Sequence, residues 1–301
     1  MTSPDSRSTA AGMLAAIVAV LIWAGWIPVT RLGVTGHLHP EDIAALRYGT
    51  AGLVLLPFFW RHRKEMPWHR PGALLLVGVG AGVPYFTVFG MGLRLANSGQ
   101  AAVFGAGASS LFTILLARIW LKEVLSFERI AGICCTVLGF WWVVSHDLQH
   151  GGTRVTGFGL IVIAALAWAI FTVVSRHLSL PPLLTAAFIG VANAALYLPL
   201  YLMSQGPSRL LAAPLSGILL QATYQGVLTG TVAMSAFTFA VTRLGAAGAA
   251  LFTPMTPVLA GVVGWWLLGD QIDDATIIGL AAVAMGVVIA GGALRLIKAR
   301  Q

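Results

Sequence analysis

Charge is what this chain has least of. Only 9% of its 301 residues are Asp, Glu, Lys or Arg, while 58% are hydrophobic. A soluble domain carries roughly a quarter charged residues, so this composition cannot cover a water-soluble body and implies an integral membrane protein. Cysteine is nearly missing as well. Cys134 and Cys135 are the whole supply, adjacent and inside an apolar run; neighbouring cysteines cannot staple distant segments, which excludes a disulfide framework and a cysteine metal cluster. The alternating ten-residue segments of an outer-membrane barrel are lacking too. What remains is a polytopic α-helical chain.

Apolar runs of about 20 residues, the length a helix needs to cross hydrocarbon, recur from end to end. Ten spans are expected: Ala11–Thr30, Ile43–Trp60, Gly72–Leu93, Gly99–Ile119, Phe127–Ser145, Thr156–Ser175, Leu183–Met203, Leu215–Val241, Ala246–Leu268 and Ala275–Leu294. Glu41-Asp42, Ser126 and Asp273-Asp274 are helix-start signals just before apolar runs. The first run continues through Trp23, Trp26 and Pro28 without a small-residue cleavage pattern, so it reads as a retained span and not as a signal peptide. In a membrane protein the net charge of +8 reports orientation, not nucleic acid. With the N-terminus inside, thirteen Lys and Arg fall on the inner side, among them Arg61, Arg63, Lys64, Arg70, Arg118, Lys122, Arg129 and Arg176, and four (Arg31, Arg94, Arg154, Arg209) on the outer side. Both termini are therefore expected to be cytoplasmic.

The chain also repeats itself. Glu123, Gly132 and Gly139 stand 147 positions before Asp270, Gly279 and Gly286, and Trp23 and Arg31 stand 145 before Trp168 and Arg176. Arg94 and Gly99 match Arg243 and Gly248 at 149, and Pro40 and Pro57 match Pro182 and Pro199 at 142. Residues 1–145 and 156–301 read as two copies joined by a polar loop at 146–155. Five spans per copy is an odd number, so the copies cross the membrane in opposite senses. Such inverted repeats build many secondary transporters, with the solute site near the midplane between the halves.

On these residues the whole chain resembles the drug/metabolite transporter superfamily with paired EamA domains. The strongest carriers are the Trp-containing first span of each half and the span-acid-span units Trp120-Leu-Lys-Glu123 and Trp266-Leu-Leu-Gly-Asp270, where Asp270 replaces the usual glutamate. Within the superfamily the chain looks most like the YddG-type exporters of aromatic and other amino acids. The resemblance implies a ten-span exporter in a bacterial inner membrane, with spans one to four and six to nine around a central cavity, working by alternating access. It implies a small-molecule partner, an amino acid, and surrounding lipid; nucleic acid, metal, cofactor and catalytic residues are not expected, and the oligomeric state is open, a monomer included.

Trp23, Trp26, Ile27 and Thr30 share one helix face, and Trp168, Phe171, Thr172 and Ser175 repeat that face at offset 145. Pro84, Tyr85, Val88, Phe89 and Gly92 offer a third, whose Tyr85 has Met234 as counterpart, and Gln225 clusters with Gln221 and Tyr224 in the eighth span. The candidate solute-binding residues are thus Tyr85, Trp168, Trp23, Trp26, Phe89, Phe171 and Gln225. No Asp or Glu lies in the interior of any span, and Arg47, about a helical turn in from the outer edge, is the one well-embedded base. Intramembrane charges usually mark coupling or substrate sites, so their scarcity argues against proton coupling, cationic drugs and phosphate-bearing cargo. It favours facilitated movement of a neutral or zwitterionic solute with an apolar body, or of another small neutral metabolite or drug. An intramembrane enzyme would need a nucleophile with a base, and Ser109 and Ser110 have no histidine in any span. Glu123 and Asp270, at span ends, suit capping or pairing with a nearby base. Gly78-xxx-Gly82 and Gly226-xxx-Gly230 read as close helix packing, and Pro254 and Pro257 as mid-helix breaks that free carbonyls.

Overall fold

The computed structural model describes residues 6–290 other than 205 and 251, and contains no strand among them. The basic residues Arg295, Lys298 and Arg300, the far end of the tenth expected span and Leu251 lie outside the described residues. Eight helical runs are long and apolar enough to cross a membrane, and two shorter apolar helices, Met255–Leu268 and Asp274–Ala290, occupy the last two span positions. In chain order, α1 is Ser6–Thr35 and α2 is Pro40–His62. The third span is split into α3 (Pro71–Gly80) and α4 (Val83–Leu93); α5 (Ser98–Trp120) and α6 (Phe127–Gln149) complete the first half. The second half holds α7 (Val155–His177), α8 (Pro182–Leu202), a short α9 (Gly206–Ala212), α10 (Leu215–Gln221), a π-helical segment (Ala222–Val232), α11 (Ala233–Ala250), α12 (Met255–Leu268) and α13 (Asp274–Ala290).

The helix-start residues do what their chemistry dictates. Asp42 accepts the His39 N–H at 2.8 Å, Ser126 Oγ accepts the Arg129 N–H at 3.4 Å, and Asp273 Oδ1 accepts the Thr276 N–H at 2.8 Å. Asn97 and Gln100 form a reciprocal capping box on α5, at 2.8 and 3.3 Å. Each satisfies an amide that the first helical turn leaves without an intrahelical acceptor.

Two spans depart from the simple reading. The third is not continuous: Gly82 is extended (φ −96°, ψ −155°) and Pro84 sits in the first turn of α4, where its missing N–H costs nothing. The break frees backbone groups inside the membrane, and polar side chains take them up. Asn193 accepts the Val83 N–H at 2.9 Å and donates to the Gly78 carbonyl at 3.1 Å, while Tyr48 donates to the Ala81 carbonyl at 2.8 Å. The ninth span is also interrupted. Gly245 (φ 74°, ψ 163°) kinks α11 just before this span, helix runs on to Ala250, and after a turn at 252–254 helix resumes at Met255. Pro254 caps that helix and Pro257 lies in its first turn, so these prolines open a helix instead of breaking one.

The repeat is visible in the packing. The first helix of each half docks on the last two inner spans of the other: α1 on α11 and α12, α7 on α4 and α5. The self-related pairs α2 with α8 and α6 with α13 close the bundle. The α6–α13 crossing has the reciprocal contacts of a two-fold, where i meets j and j meets i. A Cβ on Gly132 of α6 would stand 2.5 Å from the Gly286 carbonyl of α13, and one on its repeat equivalent Gly279 of α13 would meet Val143 of α6, where Gly139 lies beside the Gly279 carbonyl. Elsewhere the close approaches fall at Gly52 with Gly190, at Gly226 against Thr50 and at Gly80 against the Ala167 carbonyl. Gly78 has only Phe188 near it at 4.0 Å and Gly230 makes ordinary contact, so neither anticipated glycine pair packs as a pair. Gly82 is close to Asn193 because of the chain break.

Candidate functional site

Five of the anticipated aromatics meet at the boundary between the halves. Trp26 on α1 stands 4.8 Å from Phe89 and 6.4 Å from Tyr85 on α4, ring centre to ring centre. Tyr85 lies 5.2 Å from Trp168 of α7, which lies 5.0 Å from Phe171. These are separations at which aromatic rings attract edge-on or offset. The docking of α7 on the third span decides this meeting, and the α3–α4 break aims Tyr85 and Phe89 inward. Tyr85 and Phe89 are buried, whereas Trp26, Trp168 and Phe171 keep partly open faces.

Trp23 goes elsewhere. Its ring packs on Phe237 of α11 at 5.2 Å, so the two repeat-equivalent tryptophans have different company. Gln225 is fully buried in the π segment. Its oxygen accepts from Arg47 Nη1 at 2.8 Å and its nitrogen donates to Thr30 Oγ1 at 2.8 Å. It therefore reaches the aromatic cluster through Arg47. The guanidinium carbon of Arg47 lies 5.8 Å from the Trp26 ring centre, 5.4 Å from Phe86 and 5.7 Å from Tyr48, within cation–π range. Neighbouring polar groups tie α10 and the π segment to α1: Gln221 donates to the Val29 carbonyl at 2.6 Å and Tyr224 to Ile22 at 2.9 Å.

Beyond the cluster, each end of the molecule carries an ion pair made by repeat-equivalent residues. Arg31 at the end of α1 pairs with Asp270, which also accepts the Ser98 N–H of α5 at 2.8 Å. Arg176 at the end of α7 pairs with Glu123 at 2.6 Å, and Arg129 joins it at 2.9 Å. Both acids thus pair with bases from other helices. The two sites lie at opposite ends of α5, 23 residues long and so about 35 Å from end to end. They differ in exposure: Arg31 and Asp270 are 22% and 5% exposed, Arg176 and Glu123 52% and 25%. Packing follows the same gradient. The first turns of α5 from Ser98 to Phe104 are buried, while Ser109 to Ile114, toward Glu123, is partly exposed.

The fold and this arrangement define a multi-pass helical membrane protein built from two interlocked repeats with an aromatic centre and a charged pair at either end. A model of the EamA-like transporter family matches residues 10–145 and 155–292, and the chain belongs to that family. It is similar along most of its length to two bacterial proteins described as uncharacterized transporters. YyaM of Bacillus subtilis is 24% identical over 87% of this chain and 88% of its own. YedA of Escherichia coli K12, described as an inner membrane transporter, is 26% identical over 89% and 87%. One solved crystal structure shares the fold, with a TM-score of 0.60 at 21% identity and 96% of both chains covered.

Sequence reasoning missed two participants. Asn193 is a lone polar residue within the seventh span, and the broken span beside it needs such a partner. Arg47, the one well-embedded base, is not among the anticipated site residues, although an embedded arginine in a chain whose spans hold no interior acid is itself the signal.

Proposed function

We propose that the protein carries a small organic solute with an apolar or aromatic body, an amino acid such as phenylalanine in the reading the sequence favours, outward across a bacterial inner membrane by alternating access. The observation that carries this is the ring cluster of Trp26, Tyr85, Phe89, Trp168 and Phe171, assembled from both halves at their interface. That is where an inverted-repeat carrier holds its solute, because rocking one half against the other opens such a site to either side in turn. The rings exchange contacts with one another for contacts with the solute, at little net loss of buried apolar surface. Trp23 flanks the site and Gln225 acts through Arg47. With the Lys and Arg excess inside, both termini face the cytoplasm, Asp270 lies at the outer end and Glu123 at the inner. The better-packed outer end and looser inner end then correspond to a state closed to the outside. Among the described residues the carboxylates on the spans sit in their end turns, as Asp42 does in the first turn of α2, and none lies at a span's centre, so movement is facilitative in this reading.

The test is efflux from liposomes containing the purified protein and loaded with labelled phenylalanine, with no pH gradient. Release faster than from protein-free vesicles is expected. Release only under an imposed proton gradient would overturn the facilitative reading, and movement of other metabolites but no amino acid would overturn the substrate.

A further inference from the structure

We infer that Arg47 receives the carboxylate of the carried solute, so that the substrate class is carboxylates with an apolar body, and amines lacking a carboxylate are rejected. This rests on the aromatic cluster being the solute site.

Arg47 lies seven residues into α2, which begins at Pro40, about 10 Å along the helix. An arginine at that depth keeps its charge and is normally matched by an acid. Here none matches it. The arginine ion pairs of the described residues join Arg31 to Asp270, Arg209 to Asp42, and Arg129 and Arg176 to Glu123. Asp42, on the same helix as Arg47, is fully buried and taken by Arg209 at 3.0 Å and by the Tyr201 hydroxyl at 2.8 Å. The hydrogen bonds of Arg47 go to neutral oxygens, Gln225 Oε1 at 2.8 Å and Thr229 Oγ1 at 3.3 Å, and both leave from Nη1. Nη2 and Nε donate to nothing among the described residues, so part of the fork that suits a carboxylate is uncommitted.

Two independent features place an anion here. First, Trp26 belongs both to the aromatic cluster and to the ring set around Arg47, and its Nε1 is buried with no hydrogen-bond partner. A second donor without an acceptor stands on the indole that bounds the cation, and an oxygen anion would satisfy both. Second, Gln225 and Thr229, which hold Arg47 in place, lie in an eleven-residue π-helical segment. Long π segments are rare and concentrate at functional sites, because the wider turn displaces side chains from their α-helical positions. Gln225 is itself fixed by Thr30, and Thr30 by the Trp26 carbonyl at 2.7 Å. The guanidinium is therefore oriented beforehand between α1, α2 and the π segment. Among the described residues the acid on the same helix, Asp42, is taken by Arg209 and Tyr201 and is not free to receive an ammonium, and the fixed charge of Arg47 repels one. The amino group of an amino acid is thus tolerated, while the carboxylate is required.

The test uses the purified full chain in detergent, titrated with four compounds that share one ring and differ in charge, and read by tryptophan fluorescence. The compounds are 3-phenylpropionate, phenylalanine, phenylalaninamide and phenethylamine. The two carboxylates are expected to bind at least tenfold more tightly than the amide and the amine. Arg47→Gln should weaken the carboxylates at least tenfold, and Arg47→Lys should recover part of that loss. Should R47Q fail to fold, R47K and the acid-to-amide ratio of the wild type decide. Phenylalaninamide binding as tightly as phenylalanine, or carboxylate binding indifferent to R47Q, would overturn the inference while leaving an aromatic carrier intact. If none of the four binds, the aromatic reading fails. Hexanoate and butyrate then decide the anion site: Arg47-dependent binding upholds it and binding indifferent to Arg47 or absent rejects it.

Discussion

Arg31 and the buried Asp270, 239 positions apart, form a largely shielded ion pair at one end of the bundle. Their repeat equivalents Arg176 and Glu123 form the same pair, half-open to solvent, at the other. One duplicated interaction thus closes the two ends of one molecule to different degrees, the asymmetry that the proposed alternating-access cycle needs.

The first prediction concerns that difference. Asp270→Asn leaves Arg31 with the Ala96 carbonyl alone and weakens the acceptor of the Ser98 N–H. Breaking a buried pair costs about 3–5 kcal/mol, whereas the exposed Glu123–Arg176 pair contributes about 0–1 kcal/mol after solvent screening. D270N should therefore melt well below E123Q in the same detergent, with R31Q/D270N recovering part of the loss. Equal melting temperatures for D270N and E123Q would show that the ends are not unequal.

Acid should erase the smaller of these effects. The Arg176 hydrogen bond, with Arg129 adding to it against some desolvation, holds the Glu123 carboxyl below its usual range. A lowered folded-state value means the pair stabilises above the ordinary carboxylate range and is lost as pH falls through and below it. The melting difference between wild type and E123Q should be present at neutral pH and shrink progressively as pH falls below the ordinary carboxylate range. A difference that persists there would assign it to something other than this ionisation.

At the centre, Tyr85→Ala and Trp168→Ala each remove a ring from the cluster and should lower solute efflux about tenfold or more, equivalent to about 1.4 kcal/mol of lost transition-state stabilisation. The amount of protein in the membrane should not fall. Trp23→Ala, which disturbs only the Phe237 contact, should have a smaller effect. Equal loss from all three would point to general destabilisation.

The glycines supply a packing prediction. Gly132→Leu and Gly286→Leu push side chains into the opposing backbone of the α6–α13 crossing and should destabilise by about 1–3 kcal/mol. Gly159→Ala, where an added Cβ meets nothing within 4 Å, should be neutral or stabilise by about 0.5–1 kcal/mol through the helix preference of alanine. Thermal melting of the three variants checks both.

How much was legible depends on whether a signal is local. Ser126, Asn97 and Asp42 act on amides a few residues away, so their roles follow from adjacent sequence. The pairing of Arg31 with Asp270 was half legible: each half carried its Arg and its acid at matched spacing, yet nothing local said that each Arg takes the acid of the other half. The break at Gly82 was hidden because Gly and Pro inside an apolar run also fit a continuous span, whereas the kink at Gly245 falls between the expected eighth and ninth spans. The outcome turns on whether a neighbour such as Asn193 can take the freed backbone groups.

The sequence by itself determined the membrane class, the number of span positions, the inverted duplication and the aromatic content of the matched faces. These follow from composition, run length and spacing, which a linear chain states outright. Only the tertiary structure decided which faces meet, that Trp168 joins Tyr85 while Trp23 turns to Phe237, and that Arg47 stands among rings without a carboxylate. Those outcomes belong to helix docking, which brings Trp168 to Tyr85 from 83 positions away and Phe237 to Trp23 from 214, and to backbone breaks that no periodicity records.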